Sequence, residues 1–139
     1  MQASCQCGAV AFTTPTAKPL NVYHCHCTEC RKQSASAFGT SAIFPAAPLF
    51  PLTETLRDKL SVWSRHTDAG NTLDCYFCKV CGVRVVHRVR RPDGREEDTI
   101  SVKGGVLSEL DYSGAIHIWV RSAVVPIPAG LLSWETEPE

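Results

Sequence analysis

The chain has 139 residues, and its 14 Lys and Arg are balanced by 14 Asp and Glu, so the formal net charge is zero. That length suits one domain covering the whole chain, 1–139, and the balance argues against a nucleic-acid-binding protein, which carries a basic excess. No apolar run approaches the ~18 residues of a membrane span, and Met1-Gln2-Ala3-Ser4-Cys5 has neither the basic nor the apolar region of a secretory signal. A cytoplasmic protein with no membrane and no nucleic-acid partner is therefore expected.

Taken in order, the apolar residues mostly recur with period two, the mark of short half-buried strands. Val10 with Phe12 predicts one strand and Leu20 with Val22 another. Thr28-Glu29 then opens a short helix that sets Cys27 and Cys30 one turn apart on one face. Phe38 through Phe44 returns to the strand pattern, and Pro45 to Pro51 is too rich in proline for a central strand and reads as a loop. Leu60 with Val62, and Leu73 to Phe77, continue the series. Val83, Val85 and Val89, broken by His87, run into the turn Arg91-Pro92-Asp93-Gly94 and return through Ile100 and Val102. The basic run Arg88 to Arg95 is answered by Glu96, Glu97 and Asp98, which marks a solvated hairpin tip. Ile116, Ile118 and Val120 alternate with His117, Trp119 and Arg121 in a last strand. Trp63, Trp119 and Trp134 are expected as core or pocket aromatics rather than a base-stacking stripe. No amphipathic stretch is long enough for a major helix, so one β-rich domain follows, with short helical turns only.

Eight cysteines carry the chemistry. They fall as Cys5-x-Cys7, Cys25-x-Cys27-x-x-Cys30 and Cys75-x-x-Cys78-x-x-Cys81. Side chains two or three apart converge on one ion, whereas disulfide partners come from separate segments and need an oxidising compartment. Zinc suits a thiolate-rich tetrahedral site; ferredoxin spacings are not present. Cys7 is followed by Gly8 and Cys81 by Gly82, and a glycine there allows the positive φ of a tight metal-binding turn. Cys5, Cys7, Cys78 and Cys81 thus form a full, structural set. Cys25, Cys27 and Cys30 leave a fourth position open, as a catalytic site does. Cys75 either fills that position or is a buried free thiol; the alternation of Leu73, Cys75 and Phe77 favours the thiol. His24 and His26 interleave with these cysteines as ligands or as supporting residues, and His24 reads as the latter.

The segments Ser4 to Val10, His24 to Lys32, Ser36 to Phe38, Phe77 to Gly82, Val102 to Asp111 and His117 to Val120 resemble the glutathione-dependent formaldehyde-activating enzyme family. The resemblance implies a zinc-bearing β-tent of several small antiparallel sheets. It places a structural zinc on Cys5, Cys7, Cys78 and Cys81 and a catalytic zinc on Cys25, Cys27 and Cys30. It also implies a carbon–sulfur lyase or synthase that joins glutathione and formaldehyde as S-hydroxymethylglutathione. His26 and Arg31 are candidates to move a proton or steady an anionic substrate, with Lys32 beside them. Val124-Val125 departs from the Pro-Trp pair that the family often has. A non-enzymatic zinc-bearing interaction module is the alternative.

Overall fold

The computed structural model describes residues 1–138. Strand β1 (Gln2–Ser4), which no apolar alternation marks, opens the chain, and the period-two segments form β2 (Ala11–Thr13), β3 (Asn21–Cys25), β4 (Gly39–Pro45), β5 (Leu60–His66), β6 (Thr72–Cys78), β7 (Arg84–Arg90), β8 (Thr99–Lys103) and β9 (Ile116–Ile118). Two short helices, α1 (Thr28–Ser34) and α2 (Glu54–Lys59), interrupt them. The mainly β class with short helices is as expected. The sheets are fewer and larger than expected: β1 and β2 make a ribbon, and the other seven strands make one sheet in the order β5-β6-β7-β8-β4-β3-β9. Its hairpins fuse because their registers continue into one another. Val102 pairs with Val86 on one side and with Ala42 on the other. Every neighbouring pair is antiparallel except β3 and β9.

One face of this sheet carries the core. Leu60, Cys78, Val86, Ile100, Val102, Ala42 and Phe44 pack there with Ala3 and Val10 of the ribbon region and with Leu107. Each fully buried large apolar side chain of this kind contributes about 1.5–3 kcal/mol. The expected hairpin tip is held in solvent by Arg88–Glu96 and Arg91–Glu97, each 2.6 Å.

Besides β1, four local outcomes differ from the sequence reading. α2 was not anticipated, although Thr53 caps it by accepting the Leu56 N–H, with Glu54 at its start and Lys59 at its end. The last strand stops at Ile118, because Trp119 turns the chain at φ 57 into a 3₁₀ turn over Val120–Ser122. β4 takes in Pro45, which sits at the strand's end opposite Thr99. None of the three tryptophans joins the core; Trp63 is 48% exposed beneath the Arg84 guanidinium.

Antiparallel pairing sorts the functional residues to one end of the sheet. Cys25 ends β3 opposite Gly39, the first residue of β4. Lys103 ends β8 opposite Ser41, and Arg84 begins β7 opposite Phe77, one residue before Cys78 ends β6. Both cysteine sets therefore emerge on the same side of the molecule.

Candidate metal centres

Cys5 and Cys7 leave β1, and Cys78 and Cys81 leave β6. Their four sulfurs all lie within 4.8 Å of one another. The Cys5 and Cys7 Sγ atoms are 3.6 Å apart, and those of Cys7 and Cys78 are 3.8 Å apart. A tetrahedron with metal–sulfur bonds of about 2.3 Å has edges of about 3.8 Å, so the four sulfurs fit one thiophilic ion. They do not fit disulfides, in which sulfurs stand about 2.05 Å apart; all eight cysteines are free. Gly8 and Gly82 adopt φ values of +82° and +78°, as the matched Cys-Gly turns require. A Cβ at either would meet no atom within 4 Å, so backbone conformation rather than crowding demands glycine there. Backbone N–H groups then point at the sulfurs, from Val10 to Cys5 at 3.3 Å and from Val80 to Cys78 at 3.4 Å. Such donors stabilise thiolate charge.

Cys25, Cys27 and Cys30 form the second group, also within 4.8 Å. Cys25 comes from the end of β3, and Cys27 caps α1 by accepting the Cys30 N–H at 3.3 Å. Hydrogen bonds from Cys25 and Cys30, with further help from backbone donors, pull the Cys27 thiol down to about 2. The reciprocal contacts push Cys25 well above the ordinary thiol range. The group thus holds a thiolate readily. Cys75 lies outside it: fully buried on β6, paired across the sheet with Trp63 and His87, its thiol facing the Leu73 carbonyl oxygen at 3.8 Å. Burial pushes that thiol upward, which suits an inert buried cysteine.

The residues around this group include several that sequence reading missed. Lys103 is only 8% exposed, and its ammonium donates to Ser41 Oγ at 2.8 Å. Burial lowers its pKa, and the nearby sulfurs of Cys30, Cys25 and Cys75 oppose that shift. On the opposite face of β3, His24 and His26 meet His117 of β9. His26 Nε2 lies 2.9 Å from His117 Nδ1, and His24 Nδ1 lies 2.7 Å from Thr40 Oγ1. Burial, reinforced by the charges of His117 and His26, pulls His24 down to about 4. Phe38 packs against both His24 and His26. His26 is fully buried with Nε2 occupied by His117, so it is locked in place. Arg31 and Lys32 lie on the flank of α1, lining a shallow cavity of about 420 Å³ with Thr28, Ala35 and Ser36. The sequence shows Lys103 only as a polar residue that continues the Ser101 face of β8, opposite the buried Ile100 and Val102, and its burial is legible in the structure alone.

Two cysteine groups, gathered at one end of a β-sheet, make this a mainly β protein whose thiol clusters could hold metal ions. The family model of the glutathione-dependent formaldehyde-activating enzyme matches residues 1–122, and the chain belongs to that family. No curated protein matches it. The Val124-Val125 departure falls beyond the matched segment. Among the described residues no helix is long and apolar enough to cross a membrane.

Proposed function

We propose that the protein is a zinc-dependent carbon–sulfur lyase or synthase that interconverts glutathione plus formaldehyde with S-hydroxymethylglutathione. In this reading Cys5, Cys7, Cys78 and Cys81 hold a structural zinc and Cys25, Cys27 and Cys30 a catalytic one. The observation that carries it is the grouping of three cysteine sulfurs, without Cys75, in a member of a formaldehyde-activating family. Zinc on those three cysteines would supply Lewis acidity that favours the thiolate form of a bound thiol.

In the forward direction the thiol loses its proton and the sulfur adds to the carbonyl carbon. One carbon–sulfur bond forms, the carbonyl π pair becomes an alkoxide, and that oxygen takes up a proton. The reverse breaks the same bond and releases aldehyde. The chain's own part is charge and position. Cys27 supplies negative charge to the centre, and the buried Lys103 ammonium offsets the accumulated thiolate charge. The His26–His117 bond supports a positioning part for His26, since it fixes the backbone between Cys25 and Cys27. Arg31 lines the separate cavity on the α1 flank, which supports a part for it only in a first encounter with an anionic substrate.

Exchange spectroscopy with glutathione and formaldehyde tests the reading. The zinc-loaded protein should equilibrate the hemithioacetal faster than the uncatalysed rate. Cys27→Ser should lose that acceleration and one metal equivalent while keeping its melting temperature. Absence of acceleration with glutathione and with a panel of other small thiols would refute the enzyme and favour a non-enzymatic interaction module.

A further inference from the structure

Between the two cysteine groups lies a cavity of about 510 Å³, a volume within the range of small-molecule sites. Gln6 and Gly82 of the four-cysteine side and Gln33 and Gly39 of the three-cysteine side line it, with Arg84 and Lys103 between them. No Asp or Glu is among its lining residues, and neither Arg84 nor Lys103 belongs to any ion pair among the described residues. The Lys103 ammonium has a neutral hydroxyl as its hydrogen-bond partner and only the cysteine sulfurs as opposite charge, while the Arg84 guanidinium has no anion among the described residues. Charge held away from water needs an opposite charge. The Gln33 Nε2 amide is likewise buried with no acceptor. Arg84 is oriented from its other side, its guanidinium over the Trp63 ring at 5.3 Å and 3.4 Å from His87 Nε2. Burial, and then the charges of Lys103, Arg84 and Arg65, hold His87 neutral, so its ring adds no competing cation.

We propose that this cavity is a carboxylate-binding subsite for the thiol substrate, with Lys103 and Arg84 as its cationic contacts and the Gln33 amide as a further donor. The proposal rests on the reading that a thiol is the substrate, and it names a negatively charged one. Lys103 lies beside the three-cysteine group, and Arg84 is on the adjacent strand, roughly 4.8 Å further across the sheet. A thiol whose sulfur sits at the three cysteines can thus lay a carboxylate one or two strands away. Glutathione carries such carboxylates; a small neutral thiol leaves Arg84 unanswered and Lys103 with the cysteine sulfurs alone. The Arg31 and Lys32 flank of α1 is a different surface, and its residues are not needed for this discrimination.

The test uses the full-length, zinc-loaded protein and isothermal titration with S-methylglutathione, a thioether that cannot form a thiolate. Its diethyl ester, which lacks carboxylates, and inorganic phosphate are titrated alongside. S-methylglutathione should bind at least about tenfold more tightly than the ester, the scale of one charge-assisted hydrogen bond. Arg84→Gln should erase most of that preference, and Arg95→Gln at the hairpin tip should preserve it. Lys103→Gln should act like Arg84→Gln, and Arg84→Gln alone decides the matter if the lysine variant does not fold. Failure to bind S-methylglutathione, equal binding of acid and ester, or a preference that survives Arg84→Gln would overturn the proposal. So would phosphate binding as tight as S-methylglutathione, which would make the cavity a general anion site. A protein that binds the acid selectively yet accelerates no hemithioacetal exchange keeps the subsite and loses the reaction, so the two failures are separable.

Discussion

Replacing Cys78 with Ser would remove the sulfur that ties the N-terminal ribbon to the main sheet. Cys7 and Cys78 are 71 residues apart in sequence, with sulfurs 3.8 Å apart. Treated as a cross-link closing a loop of that length, the centre constrains the unfolded chain by about 4 kcal/mol. The serine hydroxyl would also sit where the Cys78 side chain is fully buried, in the core and opposite Leu60. Burying a hydroxyl there in place of the sulfur, with the Val80 N–H as its backbone donor, costs a further ~1–3 kcal/mol. The sum, about 5–7 kcal/mol, is comparable to the whole stability of an ordinary domain, about 5–15 kcal/mol. Cys78→Ser should therefore lose one metal equivalent together with its cooperative melting transition. Metal analysis and circular dichroism on the same samples read both. Cys27→Ser is the matched control, losing one equivalent but still melting cooperatively. A Cys78→Ser protein that melts within about 3 °C of the parent would refute the argument, since the smallest term alone exceeds that shift.

A Cβ on Gly104 would lie 2.6 Å from Thr40 Cγ2 and 2.9 Å from Thr40 Cβ, and Thr40 is held by His24, so it cannot swing away. Gly104→Ala should cost about 1–3 kcal/mol in urea unfolding, whereas Gly105→Ala, which meets nothing within 4 Å, should cost far less; equal effects would refute the packing argument. Arg90 grips Asp74 with two bonds of 3.0 Å and Ser64 donates to it at 2.7 Å, so these partners hold the carboxyl below its ordinary range. A depressed carboxylate stabilises the fold above its unfolded pKa of ~3.9 and loses that stabilisation as pH falls through the folded value. With the Arg90 side chain 40% exposed, solvent screens the pair. Asp74→Asn should thus cost about 1 kcal/mol at pH 7, and the difference from the parent should close as pH falls from the unfolded value through the lowered folded one. A gap that widens on acidification would contradict the sign.

What depends on a few neighbouring residues was legible from the chain alone. Cys7-Gly8 and Cys81-Gly82 announced two turns of positive φ, and those turns join Cys5, Cys7, Cys78 and Cys81 in one group. The spacing of Cys25, Cys27 and Cys30 announced the second, because a strand end and one helical turn suffice to converge three side chains. Alternating apolar residues announced short strands for the same reason, since side-chain direction in a strand is set locally. Which strands adjoin is settled by long-range packing. Val102 matches Val86 and Ala42 equally well in pattern, and nothing local says that it must pair with both, fusing hairpins into one seven-stranded sheet. The parallel partnership of β9 with β3 brings His117 to His26 across 91 residues, and Lys103 reaches Ser41 across 62. Pattern in the sequence marks Lys103 as a polar residue on a strand, with no sign that it is buried. Its burial beside three cysteines follows from long-range register, which is a property of the whole packed sheet and of no segment within it.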